Sequence, residues 1–178
     1  MIEKFNYRVN RGIDLGDGPV NGQGCGEVSK MRYGLFPMSY NGCEIIAIYN
    51  LLLLENRKSF SLAEIAREMY PVAWAFWGIF GSNVYVVDKF FNRHGIPCEK
   101  TLSLDKFTDE LGKRKYGILS MWNSHHPFDG VHTVCVEKVT GGYRVYNRSN
   151  RNTHPAFYKS LYEVVDKPRF MCGYWLYK

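Results

Sequence analysis

A run of apolar residues from Ile45 to Leu54, broken only by Asn50, constrains the fold of this chain more than any other feature. The run is too short for a membrane span, which needs about 18 apolar residues. Because its apolar side chains point in nearly every direction, it predicts a helix over residues 43–57 that is buried rather than amphipathic. The Asn41-Gly42 pair marks the start of this helix.

Further helices and then strands are predicted along the chain. Ser61 and Glu64 have the spacing of a capping box, and Pro71 lies beyond the end of the helix predicted over 61–70. The other predicted helices cover 84–94 and a short segment from Ser103 to Gly112. The predicted strands cover 97–102, 117–123, 131–139, 143–147 and 169–177. Helices first and antiparallel strands later are typical of an α+β fold.

The length of 178 residues is that of one domain. Residues 1–36 are predicted to form an irregular arm, because six glycines lie between Gly12 and Gly26. Residues 37–115 then form a mainly helical half, and residues 116–178 form an antiparallel β half.

The charge pattern excludes some classes of partner. The formal net charge is +6, but no long run of Lys or Arg is present, so a nucleic-acid partner is not expected.

The N-terminus has no basic segment followed by an apolar run, so we expect no signal peptide and, by default, a cytoplasmic location. The sequence leaves the oligomeric state open.

One of the five cysteines stands at a position that favours chemistry. The cysteines are Cys25, Cys43, Cys98, Cys135 and Cys172. Their odd number, wide spacing and lack of a CxxC pair argue against a zinc site or a disulfide framework. Cys43 lies at the predicted N-terminus of the buried helix, where the helix dipole and free N–H groups are expected to lower the pKa of a thiol and to stabilise an oxyanion.

A nucleophilic cysteine needs an imidazole partner, and His132 is the best candidate. It opens the apolar strand 131–139, a place where packing alone seldom puts a histidine. Asn147 ends the returning strand, and its side chain is expected to orient the ring. A two-residue turn at Gly141-Gly142 places Asn147 opposite Val136, roughly four residues along the strand from His132, so a twist or bulge must close that gap.

These segments carry a resemblance to a known family. Asn41-Gly42-Cys43-Glu44, followed by the apolar helix, resembles the nucleophile segment of papain-like cysteine peptidases, and is most similar to the bacterial C39-like branch. Residues 130–136, the Gly-Gly turn and residues 143–147 are similar to that branch's module of His, apolar strand, turn, strand and Asn or Asp. The resemblance covers residues 37 to about 165.

The resemblance implies a papain-like α+β fold with a cleft between a helical half and an antiparallel half. It also implies a cysteine peptidase or amidohydrolase that cleaves a peptide or amide bond through Cys43, His132 and Asn147 without a cofactor. The family places a Gln six to eight residues before the cysteine as an oxyanion donor, but residues 35–37 are Leu-Phe-Pro. Ser39 and Asn41 are the candidates to replace it, beside the main-chain N–H of Cys43.

Two other interpretations remain open. The missing Gln favours a catalytically inactive papain-like domain that binds a peptide or protein in its cleft. The other interpretation is a metal-binding protein, because histidine and aspartate bind metal ions and four such residues lie close together in the sequence: His125, His126, Asp129 and His132. Their spacing matches no metal motif, so no metal site is predicted. His126 is instead a candidate to line the cleft, as is Trp77, although its aromatic run over 74–80 more often packs in a core.

Overall fold

An antiparallel sheet of six strands forms the framework of the protein, and helices cover both of its faces. We describe it from a computed structural model, in which residues 2–57, 60–73, 82–126 and 129–177 are placed. The fold is therefore mixed α+β, as the order of the predicted elements indicated. Within these ranges, no helix combines the length and the apolar character needed to cross a membrane.

The elements follow one another in an order that separates the helices from most of the strands. The α-helices are α1 (Ile2–Asn10), α2 (Met38–Asn41), α3 (Cys43–Leu54), α4 (Leu62–Ala73), α5 (Val87–Arg93), α6 (Leu104–Arg114) and α7 (Leu161–Val164). The strands are β1 (Arg32–Tyr33), β2 (Phe36–Pro37), β3 (Cys98–Thr101), β4 (Tyr116–Trp122), β5 (Val131–Val139), β6 (Gly142–Tyr146), β7 (Ala156–Tyr158) and β8 (Phe170–Leu176).

The large sheet has the strand order β3-β8-β4-β5-β6-β7, and every neighbouring pair is antiparallel. Helix α3 packs on one face, against β4 and β5, where Ile118 and Cys135 are fully buried. Helix α6 packs on the opposite face, where Leu119 and Val134 are fully buried. Strands β1 and β2 form a separate two-stranded sheet.

Helix α3 is buried along nearly its whole length, which confirms the prediction from its apolar run. It ends at Leu54, three residues before the predicted end at 57. Asn50, the polar residue within the run, is also fully buried. Its side chain accepts from the N–H of Val20 and donates to the Val20 carbonyl, both at 2.8 Å. This pair of hydrogen bonds fixes the N-terminal arm to the central helix.

The predicted irregular arm over residues 1–36 is wrong for its first part, because α1 is a regular helix. The side-chain amides of Asn6 and Asn10 donate to the carbonyls of Gly34 and Arg32, both at 2.8 Å. These bonds join α1 to residues 28 and 22 positions later in the same arm, and no local pattern in the sequence indicates them.

Two predicted helix ends are also wrong. Helix α4 continues through Pro71 to Ala73, and α6 continues through Gly112 to Arg114. Proline removes one main-chain hydrogen bond from a helix, and Pro71 lies only two residues before the end of α4. The capping box at the start of α4 is confirmed, since the Ser61 N–H donates to the Glu64 carboxylate at 2.7 Å and the Glu64 N–H donates to the Ser61 hydroxyl at 3.2 Å.

The hairpin between β5 and β6 turns one residue earlier than predicted. Val139 pairs with Gly142, so the turn residues are Thr140 and Gly141, and Gly141 has a φ of 81°. Continuing this register brings Asn147 level with residue 134, two residues from His132 rather than the four predicted. The chain then leaves the strand at Asn147 itself, whose φ is 57°.

Candidate active site

Cys43 is the first residue of α3, and the short helix α2 leads directly to it. The junction is Gly42, where an added Cβ would lie 2.1 Å from the sulfur of Met38 and 2.5 Å from the Met38 carbonyl oxygen. A side chain therefore does not fit at this position without movement of one helix. Glycine at position 42 is thus required by the packing of α2 against the start of α3, whatever the chemistry at the thiol.

The thiol of Cys43 lies against β5. It is 8% exposed, and the main chain and hydroxyl of Thr133 are close enough to favour its ionised form. Burial is the stronger effect, and together with the neighbouring Glu44 it raises the pKa of Cys43 from 9.0 to about 11. The expectation of a lowered thiol pKa at this helix N-terminus is therefore wrong, because the loss of water outweighs the helix dipole.

His132 lies at the start of β5, immediately before Thr133. Its Nε2 is 2.7 Å from the main-chain oxygen of Asn147. Because a carbonyl only accepts, Nε2 carries the proton, and in the neutral ring Nδ1 is then an acceptor. Burial lowers the pKa of His132, and the positive charge of Arg148 lowers it further. Burial thus favours a neutral imidazole that carries its proton on Nε2.

Cys43 lies against the residue that follows His132, but the two side chains are not hydrogen bonded to each other. Among the residues that the structure describes, no hydrogen bond joins the sulfur to the imidazole. Thr133, which follows His132 in the strand, lies against the thiol. Burial favours the neutral form of both the thiol and the imidazole over an ion pair.

Asn147 contacts the histidine in a different way from the one predicted. Its main-chain carbonyl, not its side chain, holds the ring. The side chain is bound to Gln23, with its Nδ2 donating to Oε1 at 2.8 Å and its Oδ1 accepting from the main-chain N–H at 3.1 Å. The N–H of Asn147 donates to the Asn21 side chain at 2.8 Å. The arm thereby fixes the peptide unit that holds the imidazole.

Gln23 is the functional candidate that sequence reasoning missed. Its Nε2 donates to the carbonyl of Ser39 at 2.9 Å, and its side chain is almost fully buried. Ser39 lies in α2, four residues before Cys43, so this bond places the Gln23 amide on the segment that leads to the thiol. The only signal in the sequence was that this is the single glutamine of the chain and stands between two glycines.

The two predicted oxyanion donors have other contacts. The carbonyl of Ser39 accepts from Gln23 and also from the Asn150 side chain at 3.0 Å. Asn41 is buried, and its carbonyl accepts from the Ser82 hydroxyl at 3.2 Å. Both residues lie in α2 just before Cys43, in the predicted segment, and their main-chain carbonyls accept the hydrogen bonds described above.

Glu44, the second residue of α3, is fully buried beside Cys43. Neither of its carboxylate oxygens has a hydrogen-bond partner in the described part of the chain. Burial raises its pKa well above the ordinary 4.5, while the nearby Ser82 hydroxyl opposes this only weakly. Burial therefore favours the protonated form of this side chain.

The histidine cluster does not assemble. His125 pairs with Asp166 at 2.8 Å, His132 is held by Asn147, and His126 is exposed on the loop after β4. Over the placed residues, no group of three metal-ligating side chains comes together. Trp77, the other predicted cleft residue, lies outside the described residues.

Comparisons with known proteins leave the chain without an assigned family. No protein-family model matches the sequence, and no curated protein matches it either.

Proposed function

We propose that this protein is a cysteine-dependent hydrolase of papain-like fold that cleaves a peptide or amide bond. The single observation that carries the proposal is the arrangement at the start of β5. Thr133 lies against the sulfur of Cys43, while the preceding His132 is held through Nε2 by the Asn147 carbonyl. In this proposal Nδ1 of the ring is the base that takes the proton of the thiol.

The chemistry starts from the neutral pair. As the substrate enters, Nδ1 of His132 takes the thiol proton, and the sulfur of Cys43 forms a bond to the carbonyl carbon. The imidazolium is stabilised by the Nε2–H bond to the Asn147 carbonyl. It then gives its proton to the leaving nitrogen as the C–N bond breaks, and water hydrolyses the resulting thioester with the same histidine acting as base.

Gln23 takes the place of the glutamine that the resemblance led us to expect before Cys43. Its Nε2 carries two hydrogens, and the hydrogen bond to Ser39 uses one of them. The second hydrogen and the main-chain N–H of Cys43 would together stabilise the oxyanion. Three observations support the papain-like fold: a buried helix that begins with cysteine, its packing on an antiparallel sheet, and a Cys, His, Asn order along the chain.

A catalytically inactive binding domain is the second candidate, and the burial of the thiol favours it. A thiol with a pKa of about 11 is ionised in only about one molecule in ten thousand at pH 7 unless a base assists it. An inactive domain would keep the same packing without using His132. The two candidates therefore differ in whether the reactivity of Cys43 depends on His132.

The test is the rate at which iodoacetamide alkylates Cys43 between pH 5 and 10, located by mass spectrometry. We expect measurable alkylation at pH 7 in the unmodified chain, and a rate at least about a hundredfold lower in His132→Ala, because the thiol then loses its base. His154→Ala, which changes an exposed histidine, is the matched control and should leave the rate unchanged. Equal rates in all three proteins would overturn the hydrolase proposal in favour of the binding domain.

A further inference from the structure

A half-buried arginine, Arg148, directly follows the residue that holds the imidazole. The Asn147 carbonyl oxygen is 2.7 Å from Nε2 of His132. Because the peptide unit is planar, the Cα of Arg148 lies within about 3 Å of that oxygen, and so within about 6 Å of the ring nitrogen. The positive charge of Arg148 also lowers the pKa of His132, as expected for a cation close to the ring.

Arg148 has no counter-ion in the part of the chain that the structure describes. None of the ion pairs there includes it, and its Nε is buried without a hydrogen-bond acceptor. No acidic residue stands between Glu137 and Glu163 in the sequence, whereas five Lys or Arg residues do. A buried guanidinium N–H that lacks an acceptor is costly, so a ligand that supplies one would be bound favourably.

We propose that Arg148 binds a carboxylate of the substrate, close to the bond that Cys43 attacks. A guanidinium presents paired N–H donors that match the two oxygens of a carboxylate. The carboxylate belongs either to an acidic side chain or to the free C-terminus of a peptide, and the chemistry of recognition is the same for both. This inference rests on the proposed function, since it concerns the substrate of the same site.

Alkylation by a charged and a neutral reagent of the same size tests the charge at the site. The charged reagent is iodoacetate, which is an anion, and the neutral reagent is iodoacetamide. The rate at which iodoacetate modifies Cys43 is divided by the rate at which iodoacetamide modifies it, for the native chain and for the chain unfolded in urea. We expect the native ratio to exceed the unfolded ratio by about threefold at low salt, and Arg148→Gln to abolish the excess. Arg148→Lys should keep part of it, and Arg151→Gln, an exposed cation of the same loop, should change it little.

Protection of Cys43 from iodoacetamide by short peptides then identifies the source of the carboxylate. The probes are acetyl-Ala-Asp-Ala-amide, its Asn counterpart, and acetyl-Ala-Ala-Ala with a free C-terminus. Protection by the first assigns an acidic side chain, and protection by the third assigns a C-terminal carboxylate. In either case the protection should be lost in Arg148→Gln.

Failure of this inference differs from failure of the proposed function. A ratio that Arg148→Gln leaves unchanged, or equal protection by the Asn peptide, overturns the carboxylate assignment while the dependence on His132 persists. Loss of the dependence on His132 overturns the hydrolase itself, whatever the ratio.

Discussion

Replacing Glu44 by glutamine tests the balance of burial and charge at the start of α3. Glu44 is fully buried, and its pKa is raised well above the ordinary 4.5 because water is excluded from it. In the unfolded chain the same carboxyl ionises near 4.5. Above that pH the unfolded state loses a proton that the folded state keeps, so the free energy of unfolding falls as the pH rises. The fall continues until the pH reaches the pKa of the folded state.

The size of the effect follows from proton linkage. One proton bound by the folded state alone changes the free energy of unfolding by about 1.4 kcal/mol per pH unit. Glutamine has nearly the shape of the neutral acid but does not titrate. We therefore expect Glu44→Gln and the unmodified protein to be similarly stable at pH 4. From about pH 5 upward the variant should be the more stable, by about 1.4 kcal/mol for each further unit up to the pKa of the folded state.

Urea denaturation followed by intrinsic fluorescence at pH 4, 5, 6, 7 and 8 measures this difference. Glu64→Gln is the matched control, because Glu64 lies in the first turn of α4 and its hydrogen bonds to Ser61 lower its pKa. That variant should be less stable than the unmodified protein at neutral pH, with the gap closing as the pH falls. Parallel stability curves for Glu44→Gln and the unmodified protein between pH 5 and 8 would refute the argument.

Two further substitutions test how the site is held. Gln23→Met should lower the free energy of unfolding by about 2–4 kcal/mol, because the buried amide of Asn147 loses its acceptor, and an unchanged urea midpoint would contradict the bonding of the arm. Gly42→Ala should cost about 1–3 kcal/mol in thermal unfolding, since its Cβ would overlap Met38. Gly112→Ala, whose Cβ meets open space in α6, should instead be neutral or stabilising, and equal effects at both glycines would argue against the crowding at Gly42.

The elements that the sequence predicted well are those with a local signal. Helix α3 has an apolar run that only a buried helix satisfies, and the start of α4 has a capping box that the structure contains. The strands β4, β5, β6 and β8 lie within a residue of their predicted bounds. By contrast, α1 has two buried asparagines whose partners are more than twenty residues away, and no local pattern reports such bonds.

The candidate site likewise contains some residues with a local sequence signal and others without one. The places of Cys43 and His132 at the starts of α3 and β5 could be predicted, because each of these elements has a clear apolar pattern. Gln23 could not, because its role depends on Asn147, which is 124 residues further along the chain. The role of Asn147 was likewise mistaken, since only the observed hairpin register and the positive φ show that its carbonyl, rather than its amide, reaches the histidine.

The pKa of Cys43 shows why position along a helix was an incomplete guide to reactivity. A helix dipole stabilises a nearby anion by about 0.3–1 kcal/mol. The rise of the thiol pKa from 9.0 to about 11 corresponds to about 3 kcal/mol in the opposite direction, and burial is its main cause. The dipole is therefore too weak to keep this thiol ionised in the free protein. In the proposed mechanism the proton is therefore removed as the new bond forms, and Nδ1 of His132 is the group proposed to receive it.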